Sequence, residues 1–166
     1  MAKSVSVGYT DTAIVGNPVL NLLRGSVNFG ADFRVKQESP NEVILVNLTS
    51  PVDRPEKFRF SYSEVANIYS GTDVDPSVYA PSKRGVSVLC QLTETLSVTD
   101  DTDPSYRVDL PISAHLVLKL PANENITATM LQTIFARMAS GLYATGLTTT
   151  SRIDSMVRGS LKPSDV

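Results

Sequence analysis

Few side chains in this 166-residue sequence could carry out chemistry. His115 is the single histidine and Cys90 the single cysteine. Nucleophilic catalysis needs a base held between a hydroxyl or thiol and an orienting carboxylate, and no Ser, His and Asp order here marks such a set. His115 falls in a run of alternating apolar and polar residues, on the polar side, and reads as a strand residue. Cys90 falls between Val88 and Leu92 on an apolar side and reads as a small buried hydrophobe, not a nucleophile. One His and one Cys leave no zinc-binding set and no internal disulfide. Gly25-Ser26-Val27-Asn28-Phe29-Gly30 has neither the spacing nor the Lys of a phosphate-binding loop. The acidic turns Asp73/Asp75 and Asp100/Asp101/Asp103 could offer carboxylates to calcium, but Asp in such settings more simply caps its own backbone. No catalytic residue, metal or cofactor is expected.

A second kind of chemistry is better supplied. Lys57, Arg59, Ser61, Ser63, Gln91, Thr93, Thr95, Ser113, His115 and Lys119 fall at alternate positions of three extended segments. Together they would make a platform of hydroxyl, amide and cationic donors, a set suited to phosphates and unpaired bases. An ordinary solvated sheet face would look the same by composition. Lys+Arg number 15 against 17 Asp+Glu, a net charge of −2, so any nucleic-acid contact must come from a local patch.

The elements that would position these residues are strands. Hydrophobic residues at 42% and charged residues at 19% are a globular mix. A chain this long buries roughly 69% of its surface on folding, which is one domain, 1–166. Residues 3–9 and 12–24 read as an N-terminal hairpin around Gly16-Asn17-Pro18. Strands follow at 26–37, 42–49, 56–65, 85–99 and 105–120, with turn chemistry at 38–41, 70–84 and 99–104. On the last two, Val86, Val88, Cys90, Leu92, Leu96 and Val98 face one way, as do Val108, Leu110, Ile112, Ala114, Leu116, Leu118 and Leu120. This predicts an antiparallel sheet with one dry and one wet face. Pro111 cannot donate to a ladder and belongs at an edge or a bulge.

The period changes after Pro121, so 1–120 is β-rich and 121–166 helical. Ile126, Met130, Leu131, Ile134, Phe135, Met138, Ala139, Leu142 and Tyr143 recur at helical spacing, with Asn125 or Thr127 as cap and Gly146 as stop. A second helix is expected over about 152–160, with Ser151 and Asp154 at capping-box spacing, and an exposed tail from Pro163. The fold class is therefore α+β. The opening MAKSVSVGYTDT lacks the apolar core of a signal peptide, and no apolar run nears the roughly 18 residues that span a membrane.

One helix of about 20 residues, about 30 Å long and 10 Å wide, cannot cover the dry face of a five-stranded sheet about 24 Å across. Exposed apolar area of that size marks an interaction surface, most economically for a second copy in a two-fold dimer.

The order hairpin, five-stranded meander, two helices resembles the coat proteins of single-stranded RNA bacteriophages, the levivirus-like family. The start MAKSVSVG, the passage SAHLVLKLPANENITATMLQTIFARMASGLY and the ending SRIDSMVRGSLKP carry the likeness. The resemblance implies interlocked dimers whose sheets join and whose helices lie over the partner's sheet, with Leu116, Leu118, Ile134, Phe135 and Met138 in the dimer core. It implies an icosahedral shell, assembled in the bacterial cytoplasm, with single-stranded RNA on the inner sheet face. In several members that face also binds a hairpin that represses translation. By the family's spacing, Ser113, His115 and Lys119 on the last strand would meet RNA, joined by Lys57, Arg59, Ser61, Thr93 and Thr95. No membrane and no small-molecule substrate are implied. The competing reading is a non-viral β-rich binding module or a small enzyme using His115 and the Asp turns.

Overall fold

The computed structural model describes residues 27–79, 82–103, 105–144 and 151–162. The expected N-terminal hairpin, the Gly146 stop and the tail from Pro163 lie outside the described residues. The chain divides into a sheet unit, Arg24–Ala122, and a helical unit whose described part begins at Asn123.

The sheet unit holds the short helix α1 (Phe29–Asp32), strands β1 (Phe33–Ser39), β2 (Glu42–Asn47) and β3 (Lys57–Val65), the short helix α2 (Pro76–Tyr79), and the long strands β4 (Gly85–Thr99) and β5 (Arg107–Pro121). The sheet is antiparallel, in the order β1-β2-β3-β4-β5. Each strand lies beside its chain neighbour, as tight turns between alternating segments require. Pro111 lies on an edge strand, where a missing N–H is tolerated.

The expected strand 26–37 is corrected at its start, which is a helical turn. The Asn28 side chain accepts the Ala31 N–H at 3.1 Å, and the Asn28 carbonyl accepts the Asp32 N–H at 3.0 Å. An asparagine able to cap competes successfully with a short extended run. The turn carries Phe29 onto Phe33, Phe58 and Phe60, with ring centroids 5.1, 5.1 and 5.9 Å away. Such tilted pairs add to the burial of area alone. The loop expected over 70–84 contains α2, a single helical turn.

In the helical unit, α3 (Ala128–Ser140) has 13 residues, not the expected 20 or so. Thr127 caps it, its hydroxyl accepting the Met130 N–H at 3.4 Å. The end comes early because the next carbonyls are taken by a distant segment. Arg152 N–H donates to Leu142 O at 2.7 Å and Arg152 Nε to Tyr143 O at 2.6 Å, and Tyr143 bridges Ser151. The second helix, α4 (Ile153–Val157), is also shorter than expected, with 5 residues. Gly159, at φ +85°, stops it. The Gly159 and Ser160 N–H groups turn back to the Met156 and Ser155 carbonyls at 3.0 Å each, the pairing that a left-handed glycine after a helix permits. Ser151 Oγ accepts the Ile153 N–H at 3.1 Å. Asp154 completes no capping box and instead pairs with Arg158 at 3.1 Å.

Burial is scant. Among the described residues only Phe33 and Ala139 are buried hydrophobics. Leu96, Val98, Val108, Leu110 and Ile112, all on the dry face of β4 and β5, are 40 to 50% exposed.

Candidate nucleic-acid interface

Strand register decides which side chains are neighbours, because residues directly opposite share a face. Arg59 lies opposite Gln91, which lies opposite His115. Lys57 lies opposite Thr93, which lies opposite Ser113. Ser63, Ser87 and Lys119 form a third row, and Thr95 faces Pro111. Lys57, Arg59, Ser61, Thr93, Thr95, Ser113, His115 and Lys119 thus occupy one face of the sheet. They stand there because each segment keeps the two-residue period without a bulge from β3 to β5.

Two features of that face depart from the expected uniform donor platform. Ile44 and Val46 lie opposite Arg59 and Lys57, and Leu89 and Val117 fall in the row of Ser61. The face is therefore mixed. Unpaired bases present apolar faces as well as polar edges, so such a mixture does not reduce its use for them. Second, Arg59 is committed. Its Nε donates to Glu42 Oε2 at 2.7 Å, and Nη2 reaches the same oxygen. Lys57 and Lys119 form no ion pair among the described residues. Glu42, Ile44, Lys57, Arg59, Gln91 and Thr93 line a shallow depression of about 380 Å³. Gln91 Nε2 lies 3.5 Å from Thr93 Oγ1, a weak contact that leaves the amide able to serve a ligand.

Towards the β4–β5 turn the same face changes character. Arg107 donates to both oxygens of Asp109, from Nε at 2.9 Å and Nη2 at 2.8 Å. Nη2 also reaches Asp53 at 3.2 Å, and Arg54 stands 3.9 Å from Asp109. Ser97 Oγ donates to Asp109 at 2.6 Å. The hydrogen bonds from Arg107 and Ser97 hold the Asp109 carboxyl below its ordinary range, and Asp109 in turn raises Arg107. These charges satisfy one another and leave little for a phosphate.

The remaining chemical candidates are Cys90, His115 and the acidic turns. Cys90 lies on the dry face between Phe60 and Leu116, and burial pushes its thiol pKa up, so it is a poor thiolate source. His115 is exposed and makes no hydrogen bond among the described residues. Asp75, Asp100 and Asp103 each accept both the N–H and the hydroxyl of the residue two positions on, Ser77, Thr102 and Ser105, at 2.6 to 2.9 Å. Those bonds lower all three carboxyl pKa values. They are Asx turns, and no group of three or more His, Cys, Asp or Glu capable of holding a metal occurs among the described residues. None of the helices among those residues is long and apolar enough to cross a membrane.

Of the residues named for a dimer core, Leu116 and Leu118 sit on the dry face opposite Cys90 and Val88, half-buried. On α3, Ile134 and Met138 are 54% and 55% exposed, and Phe135 is half-buried. Sequence reading missed Glu94, which occupies a dry-face position opposite Ile112. The signal was there: a carboxylate breaks the run Val86, Val88, Cys90, Leu92, Leu96, Val98.

No protein-family model matches the sequence, and no curated protein matches it. Solved structures do. A virus-like particle of bacteriophage AVE015 superposes with a TM-score of 0.82 and 28% identity, over 99% of this chain and 100% of that one. A virus-like particle of bacteriophage GQ-112 gives 0.76 at 12% identity, over 96% and 98% of the two chains. One of bacteriophage PQ-465 gives 0.50 at 14% identity, over 81% and 94%. The five-stranded antiparallel sheet followed by helices is thus the fold of bacteriophage shell proteins. The coat-protein resemblance read from the sequence agrees with this.

Proposed function

We propose that this chain is the coat protein of a single-stranded RNA bacteriophage. It dimerises, assembles into an icosahedral shell and holds the RNA against the wet sheet face, with its place in the virion and its assembly in the bacterial cytoplasm. The single observation that carries the reading is the end-to-end likeness to the AVE015 particle subunit, 99% and 100% of the two chains at a TM-score of 0.82. Two features of this molecule support dimerisation. β5 is a 15-residue edge strand with one side unpaired among the described residues, and on the dry face beside it Leu96, Leu110 and Ile112 stay 50, 45 and 44% exposed. Lys57, Lys119, His115, Gln91, Thr93 and Ser113 support RNA contact, being exposed or half-buried donors on one face.

The role asks for no chemistry at His115. Unpaired lysines neutralise phosphates and release counterions, and hydroxyl and amide groups complete contacts to phosphates and splayed bases. Expression of the chain alone in bacteria tests the reading. Megadalton particles, spherical by electron microscopy and containing host RNA, are expected. Small soluble species across all salt and RNA conditions would overturn it.

A further inference from the structure

We infer that Glu94 sets the register of the interface between two copies by pairing with the partner's Arg137. The pairing depends on the proposed dimer, in which a second copy covers the dry face.

The dry face of β4 and β5 is apolar at every position from Val86 to Val98 and from Val108 to Leu120 except one. Glu94 lies opposite Ile112, with Leu92 and Leu96 along its own strand. It is half-buried already and makes no hydrogen bond or ion pair among the described residues. Leu96, Leu110 and Ile112 beside it are 50, 45 and 44% exposed. Any surface that covers these side chains also takes water from the Glu94 carboxylate. An ion so desolvated is tolerated only with a donor facing it.

The amphipathic helix of this chain offers the complementary surface. α3, ATMLQTIFARMAS, has a single charged residue, Arg137. It lies one turn from Ile134 and beside Met138, the two helix residues left 54% and 55% exposed, and residues three apart share a helix side. Each surface is therefore an apolar patch with one charge, negative on the sheet and positive on the helix. Off this helix, Arg158 pairs with Asp154 at 3.1 Å, and Arg152 Nε donates to Tyr143 O at 2.6 Å. A guanidinium carries donors enough to hold Glu94 alongside any other acceptor, in a planar fork that matches a carboxylate. Apolar patches slide over one another at little cost. A single charge pair inside them does not, which is how one polar contact fixes a register.

A charge-swap series on the full-length chain tests this, with the dissociation constant of the dimer read by sedimentation over a dilution series. Glu94→Arg and Arg137→Glu should each weaken the dimer by about tenfold or more. The double variant should recover to within about threefold of the wild type, a coupling that independent sites do not show. Should a reversed charge prevent folding, Glu94→Gln and Arg137→Gln keep the shapes, and the cycle is repeated on the concentration-dependent urea midpoint. Additive effects with no recovery would overturn the pairing while leaving the dimer intact. So would a Glu94→Leu variant that associates more tightly, since that means an apolar surface covers Glu94. A wild-type chain that sediments as a monomer at every concentration overturns the dimer reading as well.

Discussion

The two edges of the sheet are built differently. β1 is 7 residues long and carries a bulge between Val35 and Gln37. Arg34, Lys36 and Glu38 crowd the bulge with charge. β5 is 15 residues long and pairs with β4 one-to-one from Arg107 to Pro121. A short, bulged, charged edge resists pairing with another chain, and a long, regular one invites it. Support differs too. β1 rests on the Phe29, Phe33, Phe58 and Phe60 rings. The last β3–β4 pair is Lys57 with Thr93, so beyond it β4 and β5 continue as a two-stranded ribbon, which is marginal in water on its own. The sheet is therefore finished at one end only. What the β5 end lacks among the described residues, a third strand and a cover, is what a second copy would supply in the proposed dimer.

The largest effect should come from placing the same charge at both ends. Leu116→Asp puts a carboxylate on the dry face beside Cys90. With that face covered in a dimer, an uncompensated buried charge costs on the order of 3–5 kcal/mol, and the expected product is insoluble or unfolded. Val35→Asp on β1, where the side chain is already 56% exposed, should change stability by no more than about 0.5 kcal/mol. Yields of soluble protein and urea midpoints measure both. A folded, stable Leu116→Asp monomer would mean that the β5 end needs no cover.

A smaller effect is expected at the first residue of β4. Gly85 lies opposite Pro121, and a Cβ there would stand 2.8 Å from the Leu120 carbonyl oxygen and 2.7 Å from Ile68 Cβ. Neither contact can be relieved by a flexible side-chain tip. Gly85→Ala should cost about 1–3 kcal/mol by overpacking, read as a lower urea midpoint with the slope unchanged. An unaltered midpoint would show that β5 has room to shift.

The sheet was legible in the sequence because alternation is a local signal: the strands from β2 to β5 begin and end within two residues of their expected positions. What escaped depends on a local cap in one place and on partners farther along the chain in others. The Asn28 cap turned the first residues of an expected strand into a helix. α3 ends early because Ser151 and Arg152 capture the Leu142 and Tyr143 backbone, which helical periodicity cannot register. The candidate site was legible as a face but not as a set of charges. Arg59 reads as a free cation until register brings Glu42, 17 residues away, onto it. Leu89 and Val117 obey the period while breaking the polarity, so a pattern of types alone left them out.

That pairing separates the cations of the wet face into two kinds. Lys57 and Lys119 are available to phosphates, while Arg59 must first leave Glu42. On the proposed function, Lys57→Ala with Lys119→Ala should lower the slope of log affinity against log salt by about 1.4 for single-stranded RNA, about 0.7 for each phosphate no longer neutralised. Arg59→Ala should change the slope by less than one phosphate's share, and Glu42→Gln, which frees Arg59, should tighten binding. Titrations of purified dimers at several salt concentrations check all of these. Equal slopes for the wild type and the double lysine variant would place the RNA elsewhere.

The smallest effect is expected on the ribbon itself, held on its wet side by Arg54, Asp53, Arg107, Asp109 and Ser97. All but the part-buried Arg54 are exposed, and exposed ion pairs contribute little each, so the clamp should orient the ribbon without governing global stability. The sign of its pH dependence follows from Asp109. Hydrogen bonds from Arg107 and Ser97 hold the folded-state pKa below the ordinary 3.8. A depressed carboxyl contributes stability that is present above the unfolded pKa and is lost as pH falls through the folded one. The clamp should therefore be intact at neutral pH and open only below about pH 4, and because the bonds are ionic, high salt should loosen it too. Amide hydrogen exchange over 107–112 reads the opening. Wild-type protection should fall on acidification below that point more steeply than the intrinsic exchange rate explains. Asp109→Asn should start from lower protection at pH 7 and show no such step. A step of equal size in the variant would assign the acid response to another carboxyl, and the ribbon's orientation would then rest on the second copy alone.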